Sequence, residues 1–523
     1  MNRNIMSTTA ISLVVGFMFI SNPAAKANIK LPRIIGSNMV VQCDKPIKIW
    51  GWADPNEEVS VKFDKDEQKT KADSHGKWIV KFAAMKTGGP YEMTVTGKNT
   101  IQVNNILVGE VWLCSGQSNM VLNLTETTGA STESAKANIP QIRLFTVTQK
   151  ASRIPLDDVP GGEWVVCSQD GAMFFSATAY YFGNKLYQEL KVPIGLINSS
   201  LGGTRIEPWT TLEGLMSNPA TQNAENEIRQ ADMKYKKALA EAIPSIEQWV
   251  QNTRKVLDSN FPVPPFPNLP VNEMEKPLYP AIGTSLYNGM IHPLVQFAIR
   301  GTIWYQGESN MVDINDTDAY SAKMKALVES WRKIWGEGDF PFYYVQIAPF
   351  KYTGHWIKKK SPLMLPEFWI AQTEAMSVIP NSGMVVTNDI GDPNDIHPRN
   401  KSDVGKRLAL WALAKTYGKK DIVYSGPIYK SMTVEGNKIR VKFEYTGSGL
   451  VSRDGKPLNW FEIAGDDKKF QKAEAKIDGN SVLVWSNSIS KPFAVRFAWD
   501  EIANPNLINK EGLPASAFIT VKD

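Results

Sequence analysis

From Asn28 to about Asn105, apolar and polar residues alternate in short runs: IKIWGWA, VSVKF, KWIVKF and YEMTVTG. Gly, Pro, Asp and Asn separate the runs, and a period of two between turn formers predicts strands with one buried face. The last hundred or so residues repeat the pattern in KIRVKFEY, SVLVWS and AVRFAW, with turn signals at Gly436-Asn437 and Asp478-Gly479-Asn480.

Between these two regions the period changes. TAYYFGNKLYQEL has helical spacing and leads into VPIGLIN; AYSAKMKALVESWRKIW leads into FPFYYVQI; DVGKRLALWALAKTYG ends on Gly418 as a C-cap. Alternating amphipathic helix and apolar strand predicts an α/β domain with a parallel sheet covered on both faces. Residues 213–275 interrupt the alternation with a charged helical stretch and then FPVPPFPNLP, read as an insertion over the sheet edge, either a lid or a solvated spacer.

At 523 residues the chain exceeds one hydrophobic core. The expected division is a leader at 1–27, an N-terminal β module at 28–105, an α/β domain at 106–425 and a C-terminal β module at 426–523. The leader has Arg3, an apolar run from Ala10 to Ile20 and Ala25-Lys26-Ala27, the form of a secretory signal cleaved after Ala27. Its apolar run is about half the ~20 residues of a membrane span, so the mature chain is expected to be soluble and periplasmic or secreted. Cleavage removes Arg3 and Lys26 and no acid, taking the formal charge from +5 to +3. That balance, with Lys358-Lys359-Lys360 the only basic run, gives no sign of a nucleic-acid partner. The 3 cysteines, Cys43, Cys114 and Cys167, exclude a disulfide scaffold, and no Cys/His cluster has zinc spacing.

Four polar loops follow the central strands: SGQSNM, SSLGGTRIEPW, QGESN and NDIGDPNDIHPRNK. In a parallel sheet such loops emerge along one edge, where ligands bind. Ser118 is the candidate nucleophile, and a serine hydroxyl needs a base. Of the 4 histidines, His75 lies in a β-module turn, His292 in an apolar context and His355 in a loop with Trp and Lys, so His397 is the base by elimination. Asp395 and Asp392 are the nearest candidates to orient it, with Asp389 further off. Backbone N–H groups of Ser118 and of Gly202 or Gly203 are candidate oxyanion donors, and the Gln306 amide is a third. For Gly202-Gly203 a plain turn is the alternative; for Gln306 and Glu308 it is a strand-end hydrogen-bond network.

The stretches GQSNM, SSLGGTRIEPWT, SLYNGMI, GTIWYQGESN, DIGDPNDIHPRNK and NLINKEGLPASAF resemble the sialate O-acetylesterase family, a carbohydrate-esterase branch of the SGNH hydrolases related to acetylxylan esterases. The resemblance implies a flavodoxin-like three-layer hydrolase domain flanked by β-sandwich-like modules. It also implies Ser118 as nucleophile and His397 as base, no metal or organic cofactor, and an O-acetylated carbohydrate substrate. Two departures stand out: Gln306 replaces the asparagine of the broader SGNH pattern, and position 394, where that pattern has aspartate, is Asn394. Asp395 is therefore the expected orienting acid, with Asp392 or a Ser–His dyad as alternatives. Arg205 is placed to pair with a sialic acid carboxylate, or else with Glu207 or Glu308 to fix its loop. Glu308, His355, Trp209 and Trp304 are further candidates for the sugar site. An acetylxylan or hemicellulose acetylesterase is the alternative activity, and a non-catalytic carbohydrate-binding protein the alternative class.

Overall fold

The computed structural model describes residues 28–276, 282–312, 319–355 and 361–521. The expected leader at 1–27 and Lys358-Lys359-Lys360 lie outside the described residues.

The run VWLC, 111–114, is apolar on both faces because it is the middle of a parallel sheet. Strand order is Ser382–Val385, Phe342–Val345, Gly301–Tyr305, Thr100–Gly116, Ile194–Ser200, Ile142–Thr146 and Trp164–Val166, parallel except for the last. The strand Thr100–Gly116 is the switch point: later strands add on both sides of it. Gly116 stands in register with Ser200 on one side and Tyr305 on the other. Three of the four polar loops therefore leave the sheet at one level, and the fourth leaves from the outer strand Ser382–Val385.

Alternate residues of these strands fall into two separate apolar clusters. Trp112, Cys114, Ile303, Tyr305 and Tyr343 pack with the helices Ala177–Leu190 and Lys401–Trp411. Val111, Leu113, Trp304, Phe342 and Tyr344 pack with Tyr320–Trp335 and Met364–Val378. Trp304, a candidate sugar contact, is buried here; Trp209 is buried too and donates its indole N–H to Thr204 Oγ1 at 3.0 Å.

The 17-residue strand Thr100–Gly116 crosses the expected boundary at 105/106. Its first half pairs antiparallel with Gly88–Thr96 and parallel with Val40–Gln42, and its second half is the centre of the main sheet. Beyond residue 426 lie two four-stranded antiparallel sheets, one containing Lys438–Glu444 and Ser481–Trp485, the other Phe461–Ala464 and Ala494–Phe497. In the insertion the helix Gln222–Val256 buries only Ala224 and Ala231, so it is a solvated helix that packs through one small-residue stripe. Trp249 donates its indole N–H to Pro264 O at 2.8 Å, which folds the proline-rich segment back onto that helix.

Cys43, Cys114 and Cys167 are all buried free thiols. Among the described residues no helix is long and apolar enough to cross a membrane.

Candidate active site

Gly116 turns the chain out of the sheet at φ 138°, and a Cβ there would lie 2.1 Å from the Tyr305 carbonyl oxygen. Only glycine allows this approach. Gln117 N–H donates to Tyr305 O at 2.9 Å and Leu201 N–H to Gly116 O at 3.1 Å, which fix the exit between two neighbouring strands. Ser118 then opens the helical turn Ser118–Val121, half-buried while Gln117 and Asn119 beside it are buried. As a first-turn residue its N–H has no intrahelical acceptor. A Cβ on Gly202 would lie 3.4 Å from Ser118 Cβ, whereas one on Gly203, at φ 70°, would meet nothing within 4 Å. Of the two glycines, Gly202 therefore lies against Ser118, and Gly203 is the left-handed residue of the turn.

His397 sits in the loop before the helix Lys401–Trp411. Its Nδ1 lies 3.9 Å from Asp395 Oδ1, too long for a hydrogen bond, while its backbone N–H donates to that oxygen at 2.9 Å. The second oxygen of Asp395 accepts from Arg399 Nε at 3.0 Å. Asp392 is exposed and caps the N–H of Asn394 at 2.9 Å, and Asp389 forks with Arg407 at 2.7 and 2.6 Å. Of the three acids, Asp395 is the one the structure brings to His397. Burial and the Lys401 charge lower the proton affinity of His397, and Asp395 opposes them. The carboxyl of Asp395 is itself held low: the His397 N–H and Arg399 outweigh a burial penalty. Among the other histidines, His75 is exposed beside Ser74 Oγ and His292 Nδ1 lies 2.9 Å from Leu156 O. His355 ends the helix Tyr352–His355, and its side chain lies outside the described residues.

Ser118 and His397 are held together through their neighbours: Asn119 Nδ2 donates to Ile396 O at 3.1 Å.

Three expected site residues have the surroundings of the alternative reading, a hydrogen-bond network for Gln306 and Glu308 and an ion pair with Glu207 for Arg205. Gln306 is buried, and its Nε2 faces Asn310 Oδ1 at 2.8 Å, Thr204 O at 3.1 Å and Gln117 Oε1 at 3.2 Å, while Oε1 accepts from Tyr320 at 2.7 Å. With only two amide hydrogens, it braces three loops and has none left for an oxyanion. Glu308 is 2% exposed: Oε1 accepts from Asn119 Nδ2 at 2.5 Å, Oε2 has no donor among the described residues, and burial raises its pKa. It is enclosed beneath the nucleophile turn rather than presented to a sugar. Arg205 forks onto Glu207 through Nε at 3.3 Å and Nη2 at 3.0 Å, and Lys323 Nζ reaches the same carboxylate at 2.7 Å. Those two cations hold the Glu207 carboxyl below its ordinary range against its burial.

Sequence reasoning passed over Gln117, Asn119 and Lys401. All three stand in the quoted motifs, but nothing in a linear pattern marks Lys401, at a helix start, as fully buried with its ammonium on Asn119 Oδ1 and 4.8 Å from the Tyr305 ring. Among the described residues no group of three or more His, Cys, Asp or Glu side chains is placed to hold a metal ion.

The family described as carbohydrate esterase, sialic acid-specific acetylesterase, matches residues 272–414. The sialate O-acetylesterase of Rattus norvegicus is 30% identical over 456 residues, spanning 81% of this chain and 79% of that protein. That of Mus musculus is 29% identical over 492 residues, spanning 86% and 85%. Among solved structures, a carbohydrate acetylesterase from Xanthomonas citri is similar with a TM-score of 0.79 at 35% identity, over 94% of this chain and 100% of that one. A relative 30% identical over 81% of this chain and 79% of its own length shows that the chain belongs to the sialate O-acetylesterase family of carboxylic-ester hydrolases.

Proposed function

We propose that this protein removes O-acetyl groups from sialic acids by serine acyl transfer, in a flavodoxin-like three-layer domain at 106–425 between β-sandwich-like modules at 28–105 and 426–523. The same reading has the chain exported to the periplasm or exterior after loss of 1–27. The observation that carries it is the placement of Ser118: lifted out of the switch-point strand, against Gly202, and tied to the His397 loop through Asn119 and Ile396.

In this mechanism Ser118 Oγ attacks the acetyl carbonyl carbon while His397 takes the hydroxyl proton. The N–H groups of Ser118 and Gly202 hold the oxyanion, each contributing about 3–4 kcal/mol to the transition state. Protonated His397 passes its proton to the departing sugar oxygen. Water, deprotonated by the same imidazole, then cleaves the acetyl-enzyme and releases acetate. Asp395 holds the histidine loop, and its carboxylate stabilises the imidazolium across 3.9 Å.

The test is acetate release from 9-O-acetyl-N-acetylneuraminic acid by the full chain and by Ser118→Ala. Release abolished by the substitution supports both nucleophile and substrate, and undiminished release overturns the serine mechanism. The Arg205–Glu207 fork favours a second reading, because a guanidinium already holding a carboxylate is poorly placed to take that of a sialic acid. Under it the substrate is a neutral acetylated glycan such as xylan. Activity on acetylated xylan with none on the sialic acid ester decides for it.

A further inference from the structure

Beneath the nucleophile lies a cluster that the mechanism above does not use: Lys401 and Asn119 at 0% exposure and Glu308 at 2%. The orientation of the Asn119 amide is set by its partners. An ammonium can only donate, so Lys401 Nζ faces Oδ1; the Ile396 carbonyl only accepts, so it takes Nδ2, as does Glu308 Oε1. Both amide hydrogens are thus in use, one at 2.5 Å on Glu308 and one at 3.1 Å on Ile396.

The bond to Ile396 matters because of what lies across that peptide. The Ile396 C=O and the His397 N–H belong to one planar unit. Asn119 holds its oxygen at 3.1 Å and Asp395 holds its N–H at 2.9 Å. With both poles held, the plane that carries His397 cannot rotate without breaking a hydrogen bond. Asn119 is also covalently next to Ser118. One amide therefore fixes nucleophile and base relative to each other.

We propose that Asn119 is the positioning residue of this esterase, held between the buried side chains of Lys401 and Glu308 so that it locks the Ser118 turn to the peptide bearing His397. This rests on the serine-esterase reading above but not on the choice of sugar. Lys401 adds an electrostatic role: its charge, with that of Arg399, opposes protonation of His397, which Asp395 and Glu126 favour. The pKa of Lys401 is lowered to about 7, by burial against the pull of Glu308 and Asp395 and with the repulsion of Arg399, so it is charged across the acid limb of activity. The Tyr305 ring also faces it, at 4.8 Å.

The experiment uses the full chain with 4-nitrophenyl acetate alongside the sialic acid ester, and counts active sites with a fluorophosphonate. Asn119→Ala is expected to lower kcat per titrated site on 4-nitrophenyl acetate by about 10–100-fold with KM within about twofold, the signature of lost alignment. A merely structural role would lower the number of titrated sites and leave kcat per site alone, and that result overturns the proposal. Should Asn119→Ala fail to fold, Lys401→Met, which removes the donor on Asn119 Oδ1, decides: kcat per titrated site falls about tenfold, with the acid limb moved to higher pH, if the proposal holds, and an unchanged kcat per site overturns it wherever the limb lies. A parent protein active on 4-nitrophenyl acetate but not on the sialic acid ester defeats the substrate reading alone. A parent inert to both defeats the esterase reading and this inference with it.

Discussion

Asp395 holds the backbone N–H of His397 at 2.9 Å and leaves the imidazole of the same residue 3.9 Å from its nearer oxygen. The carboxylate therefore acts on the loop through a hydrogen bond and on the ring through its charge. Where an aspartate is bonded directly to the ring, replacing it with asparagine costs about 10⁴ in kcat. Asp395→Asn should cost less, on the order of 10–100-fold. Because Asp395 favours protonation of His397, its removal should move the acid limb of kcat/KM to lower pH. A pH–rate profile checks the direction, opposite to that expected for Lys401→Met.

In the unsubstituted protein that limb should lie below 6.5, the ordinary histidine value, since burial and Lys401 depress the His397 pKa. The same shift links to stability. The unfolded chain binds the proton more readily, so the contribution of neutral His397 is full above 6.5 and is lost as pH falls through the depressed pKa. Asp395, also depressed, adds loss of the same sign below 3.8, its unfolded value. Urea unfolding of the parent and of His397→Gln across this range should show a smaller acid decline in the variant above pH 3.8.

Gly116→Ala and Gly202→Ala should separate fold from function. A Cβ at Gly116 would lie 2.1 Å from the Tyr305 carbonyl at φ 138°, so that variant should lose roughly 3 kcal/mol or more and show a lowered Tm. At Gly202 the new Cβ would lie 3.4 Å from Ser118 Cβ, a contact the fold tolerates. Its Tm should stay close to that of the parent while kcat on 4-nitrophenyl acetate falls about tenfold as the methyl crowds the oxyanion site.

At the opposite end of the sheet, Arg300 meets Glu110 through Nε at 2.6 Å and Nη2 at 3.0 Å, and Tyr417, Gln42 and Cys43 complete the shell around that carboxylate. Glu110→Ala leaves Arg300 unpaired in a largely buried place, which should cost about 3–5 kcal/mol. Kinetics per folded molecule should be unchanged, because the ion pair lies at the strand end away from Ser118. Denaturant unfolding together with active-site titration distinguishes this from a catalytic effect.

Much of the site was legible in the chain because its chemistry is local. A buried strand that runs into Gly116-Gln117-Ser118, a single histidine of four set among acids after a strand, and polar loops at strand ends can each be found from residue type and spacing. The sequence alone thereby determined the α/β middle between β-patterned ends, the nucleophile and base as candidates, and Asp395 and Asp392 as the acids nearest the base. Tertiary structure alone decided who partners whom. Asn119 meets Glu308 across 189 positions and Lys401 across 282, and no periodicity reports a hydrogen bond at that separation. Burial decided the rest. Gln306 and Glu308 are polar residues after a strand, suited on paper to face a substrate, but the adjoining loops close over them, and Gln306 spends both amide hydrogens there. Arg205 could have met a ligand or a neighbour; with Glu207 two residues away and held in place by Lys323, the neighbour takes it. Most buried polar atoms are paired within the protein, and which pairs form depends on distances that only folding sets.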